Sequence, residues 1–117
     1  MAEYKGSCHC GAVTFKAELS LDSLMTCNCS ICGRTGSIMA FIPQSALTQL
    51  TGQAAQTDYQ FGPKSIHHLF CTTCGVRSFG TGVGPDGNGW AMVNVRCLDG
   101  VDVHTLEIKQ QYDGRSR

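Results

Sequence analysis

Eight cysteines in 117 residues, seven of them gathered into short clips, constrain this chain more than any other feature. They stand at Cys8 and Cys10, at Cys27, Cys29 and Cys32, and at Cys71 and Cys74, with Cys97 left over. A disulfide framework is the ordinary reading of an even count, but thiols two and three positions apart cannot tie distant parts of a core together. The opening MAEYKGSCHC carries no export signal either, so the expected setting is reducing and cytoplasmic. A C-x-x-C redox pair normally opens a helix in a βαβ unit, which the pattern lacks. Closely spaced thiols suit a tetrahedral soft cation, because one short loop aims two or three sulfurs at one point. Zinc is the expected ion. The last cysteine of each clip is followed by glycine, at Gly11, Gly33 and Gly75, as a tight loop needing positive φ would require.

The seven clustered thiols divide into four and three. Cys8 and Cys10 cannot fill a tetrahedron alone, and Cys71 and Cys74 complete it from about sixty residues downstream. That closed set is the layout of a structural ion. Cys27, Cys29 and Cys32 cap a second ion and leave one position open, the layout of a catalytic zinc. The alternative is that Cys97 or a histidine completes the triad and makes it structural as well.

Hydrophobic residues are 42% of the chain and charged residues 15%, which excludes disorder. Nine Lys and Arg balance nine Asp and Glu, so no basic surplus exists for nucleic acid or an anionic membrane. No apolar run reaches the ~18 residues of a membrane span. Length predicts a single domain over residues 1–117. Val13, Phe15, Ala17 and Leu19 alternate as one strand; residues 38–42 read as a buried strand and 90–95 as another strand, and residues 66–70 lead into the last clip. Residues 45–50 fit a strand or a helical turn, Thr57, Tyr59 and Phe61 alternate, and Val101 with Val103 marks a short strand. The glycine-rich residues 80–89 read as a hairpin loop, without the G-K-[ST] of a phosphate loop. His67 and His68 must face opposite sides of their strand, one toward solvent, the other a core, supporting or proton-carrying residue. His9 is expected to point outward. No helical period lasts three turns, and the expected class is all-β.

The ordered set GSCHCGAVTF, CNCSICGRTG, HHLFCTTCGVRSFG and NVRCLDGVD resembles the glutathione-dependent formaldehyde-activating enzyme family, which also includes centromere protein V. The likeness runs from about residue 6 to residue 102. It implies a zinc-stapled β-tent of several small antiparallel sheets and two zinc ions per chain. The closed zinc would lie on Cys8, Cys10, Cys71 and Cys74, and the open one on Cys27, Cys29 and Cys32. The implied activity is that of a carbon–sulfur lyase. A small thiol such as glutathione, activated at the triad, adds to a small carbonyl such as formaldehyde. Glutathione carries two carboxylates, for which Arg34, Arg77 and Arg96 are the candidate partners. Many members carry a basic residue directly after the triad, whereas here Gly33 precedes Arg34. Two rival readings stand beside this one: a zinc-stapled binding or chaperone-like module without turnover, and a thiol-dependent lyase acting on another small adduct.

Overall fold

Residues 2–116 are described by a computed structural model. In chain order the strands are β1 (Ala2–Ser7), β2 (Thr14–Leu19), β3 (Leu24–Cys27), β4 (Met39–Pro43) and β5 (Leu47–Thr51). They continue as β6 (Gln56–Tyr59), β7 (Ile66–Cys71), β8 (Phe79–Val83), β9 (Gly89–Asn94) and β10 (Ile108–Tyr112). One four-residue helix, α1 (Cys32–Thr35), stands between β3 and β4, and the remaining helical pieces are 3₁₀ turns. The chain is all-β, as its alternating pattern requires.

Two sheets form. The first has three strands in the order β1-β2-β5, and the second seven in the order β10-β3-β4-β9-β8-β7-β6. Pairing is antiparallel except between β10 and β3, which run parallel. Alternation explains which faces meet. Phe15, Ala17 and Leu19 of β2 point inward, with Lys16 and Glu18 turned away, and they meet Ala91 and Val93 of β9 and Phe79 of β8 in one cluster. Phe15 and Phe79 pack edge to face across the sheets at 5.5 Å. Each fully buried Val, Leu or Phe contributes about 1.5–3 kcal/mol, so this seam carries much of the stability.

The structure departs from the sequence expectations in several segments. Residues 80–89 are mostly strand: β8 runs through Val83, β9 starts at Gly89, and only residues 84–88 form the connecting loop. Gly80 and Gly82 are close-packing positions rather than turn residues. A Cβ on Gly80 would come within 2.9 Å of the His67 carbonyl, and one on Gly82 would run into the ring of Trp90. Val101 and Val103 form no strand; Asp102 caps the 3₁₀ turn Val103–Thr105 by accepting from the His104 N–H. Residues 45–50 satisfy both alternatives, as the 3₁₀ turn Gln44–Ala46 followed by β5. Phe61 lies beyond the end of β6. Strands β1, β3 and β10 carry too few alternating apolar positions to announce themselves.

Candidate metal centres

The first centre joins the two sheets. Cys8 follows β1, Cys71 ends β7, and their Sγ atoms converge with those of Cys10 and Cys74, all within 4.8 Å of one another. The two loops are built alike. The Cys8 N–H donates to the Val13 carbonyl and the Cys71 N–H to the Val76 carbonyl, each at 3.0 Å across five residues. Each loop turns on a glycine of positive φ, Gly11 at 83° and Gly75 at 79°. The turned-in backbone then faces sulfur, with the Val13 N–H 3.3 Å from Cys8 Sγ. Cys10 Sγ lies 3.7 Å from Cys8 Sγ and 3.6 Å from Cys71 Sγ.

The third cysteine–glycine pair works differently. Gly33 has no positive φ; it lies inside α1, and its N–H donates to the Cys29 carbonyl at 2.8 Å. The left-handed residue here is Gly36 at the C-terminus of α1, with φ 69°. The Cys29 N–H points at Cys27 Sγ and the Cys32 N–H at Cys29 Sγ, both at 3.4 Å, so a sulfur-directed N–H follows each of the first two thiols. All three thiols are half-buried and lie within 4.8 Å of one another. Among the described residues no further Cys, His, Asp or Glu joins this group.

Thiol titration within both groups is split by proximity. In the first, the N–H groups of Cys10 and Val76 hold the Cys74 thiol down to about 6. Cys10 gains a lowering bond from the Ala12 N–H, yet the Cys71 thiol, desolvation and the remaining thiols push it up to about 11. For Cys8, burial opposes ionisation but the Val13 N–H and the thiols of Cys10 and Cys71 outweigh it, so its pKa falls. In the triad, Cys29 is lowered against its burial by the Cys32 N–H and the thiols of Cys32 and Cys27. Burial and then the Cys29 thiol push Cys32 up to about 12. Thiols this close share protons because they cannot all carry charge at once, and a bound divalent cation would take the protons' place.

The C-terminal segment forms one wall of the triad. Asn28, between two of the thiols, receives the Arg115 N–H on Oδ1 (2.9 Å) and donates from Nδ2 to Asp113 Oδ1 (2.9 Å). Its backbone N–H meets the Tyr112 carbonyl at 3.2 Å. Gly114 is thereby pressed onto the thiols, so that a Cβ there would stand 2.9 Å from Cys27 Sγ. The sequence pattern gave no sign of this strap, because neither β10 nor the turn after it shows periodicity.

The three thiols open into a cleft of about 290 Å³ that the strap borders through Tyr112 and Gly114 and whose other walls include Phe41, Phe61, Trp90 and Met92. His68 is buried and also faces it, with Phe61 stacked on the imidazole at 5.3 Å. Its partner His67 is exposed, on the opposite face, with Nδ1 2.6 Å from Asp58 Oδ2. Behind His68 a pocket of about 20 Å³ lies between Cys32, Arg77 and Asn94, room for about one water. Burial and the Arg77 charge pull His68 below its ordinary pKa, leaving a neutral imidazole near pH 7.

Of the three candidate arginines, two border the triad. Arg34 anchors its guanidinium on the Ser30 carbonyl at 2.7 Å, and Arg77 lies over Phe70 at 5.8 Å from the ring centroid. Both line a rim depression with Tyr59 and Phe61. Arg96 sits elsewhere, exposed in the 3₁₀ turn Val95–Cys97, with its backbone N–H on Asn94 Oδ1. Cys97 lies outside the triad too. Its thiol points at the Arg77 carbonyl at 3.6 Å, and the charges that reach it are those of Cys8 and Cys74. His9 is exposed.

A family model described as glutathione-dependent formaldehyde-activating enzyme matches residues 3–113. The fold is similar to that in the crystal structure of a Rhodobacter sphaeroides protein 36% identical in sequence. The TM-score is 0.82 over 92% of this chain and 98% of that one.

Proposed function

The chain belongs to the glutathione-dependent formaldehyde-activating enzyme family, and from that membership and its two thiol centres we propose a zinc-dependent carbon–sulfur lyase. In this reading a thiol, glutathione, adds to formaldehyde or a similar small carbonyl in the cytoplasm. The observation that carries it is the triad of Cys27, Cys29 and Cys32, three soft donors on one loop that open into a cleft.

The donor sets fit zinc. With Zn–S bonds of about 2.3 Å a tetrahedron has sulfur–sulfur edges of about 3.8 Å. Cys8, Cys10 and Cys71 already stand at 3.7 and 3.6 Å. Cys8, Cys10, Cys71 and Cys74 would hold a structural ion, and Cys27, Cys29 and Cys32 a second one. Bound at the triad, zinc supplies Lewis acidity and lowers the pKa of an added thiol.

The protein's own groups do the rest. Adding a thiol to a carbonyl forms a sulfur–carbon bond as the carbon–oxygen π bond opens, and the thiol proton ends on that oxygen. Neutral His68, between the cleft and the water-sized pocket, is placed to carry this proton. Arg34 and Arg77 at the rim suit the carboxylates of glutathione. Arg96 lies apart from that rim, in the turn after β9.

Metal analysis of protein purified without chelator tests the proposal. Two zinc ions per chain are expected, with the triad thiols protected from alkylation. One ion, with three freely titrating thiols at the triad, would overturn it.

A further inference from the structure

The cleft above the triad is larger and more apolar than formaldehyde alone would need. Its volume is about 290 Å³. A hydroxymethyl group occupies on the order of 30–50 Å³, judged against a water's share of about 30 Å³ in the liquid. Phe61, Trp90, Phe41, Met39, Met92 and Ile66 would then face water across an unfilled space. Apart from the thiols, His68 and the backbone at Gly114, the polar atoms of the lining residues are the Tyr112 hydroxyl and the Trp90 ring N–H, each the tip of a large aromatic body. A space walled by aromatic rings and thioethers favours a ring or a branched hydrocarbon of about six carbons.

Charge is arranged differently at the mouth. Arg34 and Arg77 line one rim depression, and Arg34 and Arg115 line another beside Cys29 and Gly114. Phe61 borders both depressions as well as the cleft, so its ring divides the apolar interior from the cationic rim. A ligand spanning this boundary has an apolar end inside, a sulfur at the thiols and anionic groups outside.

We infer that the preferred carbonyl partner is an apolar, aromatic-sized aldehyde, bound as its adduct with an anionic thiol. This rests on the thiol-adduct reading above and names its substrate class. The step balances without an oxidant: the thiol sulfur bonds to the aldehyde carbon, the π electrons pass to oxygen, and the thiol proton follows them. Cleavage of the adduct is the reverse.

Trp90 is the only tryptophan and lines the cleft, so its fluorescence reports occupancy directly. The zinc-loaded protein is titrated with S-benzylglutathione and with S-methylglutathione, two unreactive thioethers that differ in the apolar end alone. Burying a ring at about 25 cal/mol per Å² predicts that the benzyl compound binds ten- to a hundredfold more tightly, with a roughly tenfold gain as the minimum. Phe61→Ala, at a partly exposed position, should weaken the benzyl compound severalfold and leave the methyl compound nearly unchanged. Equal binding of the two thioethers by the wild type would overturn the inference and leave the glutathione reading standing. A Trp90 response to benzyl alcohol with none to either thioether would overturn the glutathione reading itself.

Discussion

The two thiol groups were legible residue by residue, because close spacing lets a short loop aim its sulfurs at one point. Their supporting residues were less so. Gly11 and Gly75 take the positive φ expected of a glycine closing a cysteine clip, while Gly33 lies in a helix and Gly36 takes the left-handed turn. His67 and His68 were predictably on opposite faces, but period two cannot say which faces the cleft. That depends on β7 pairing with β8 on one side and β6 on the other. The burial of His68 has a consequence in acid. Desolvation and Arg77 disfavour its imidazolium and the neighbouring His67 adds to this, with Asp58 opposing, so its folded pKa lies below the ordinary 6.5. The unfolded chain then binds the extra proton first, and stability falls as pH drops through about 6.5. His68→Gln should remove that component. Measured from pH 7.5 to 5.5, the melting temperature of the variant should rise relative to wild type, thiol protonation being common to both chains. A gap independent of pH would show that His68 is not held neutral.

Among the elements, the hydrophobic strands β2, β4 and β9 were readable because alternation or an apolar run marks a buried face. β8 was hidden by glycines chosen for close approach to Trp90 and His67, which look like loop residues until the neighbouring strand is known. β10 was hidden for another reason: its parallel pairing with β3 joins segments far apart in sequence, and four of its five residues are exposed. Yet β10 sets the second centre, since it delivers Gly114 against Cys27 and Cys29. Gly114→Ala would place a methyl group 2.8 Å from Cys29 Cβ and 2.9 Å from Cys27 Sγ. Overpacking of this kind costs about 1–3 kcal/mol, which the triad must absorb by moving its sulfurs. Zinc affinity at the second centre should fall about 10–100-fold, the usual effect of disturbing groups behind the ligands, while the first centre keeps its ion. Competition with a chelator, following release of each equivalent, checks this. Unchanged release of the second ion would mean that the strap does not shape the triad.

For the whole molecule, the two centres differ in what they connect. Cys8 and Cys10 belong to the loop between β1 and β2, in the three-stranded sheet, and Cys71 and Cys74 to the end of β7 and its following turn, in the seven-stranded sheet. The first centre therefore crosses the same seam as the Phe15–Phe79 contact. The triad lies on one short segment from the end of β3 to the start of α1, and Asn28 ties that segment to the C-terminal turn. Structural zinc contributes on the order of 10 kcal/mol, comparable to the entire 5–15 kcal/mol stability typical of a small domain. Cys71→Ser replaces a soft donor with a poor one at the seam, and the protein should lose its cooperative thermal transition and its soluble yield. Cys29→Ser should remain folded, with a near-native circular dichroism spectrum, one zinc retained and the triad ion weakly bound. The contrast is decisive because both substitutions delete one sulfur of similar chemistry. If Cys29→Ser unfolds the chain as completely as Cys71→Ser, the triad is a structural staple, and a centre that the fold cannot spare is a poor place for an exchanging substrate thiol.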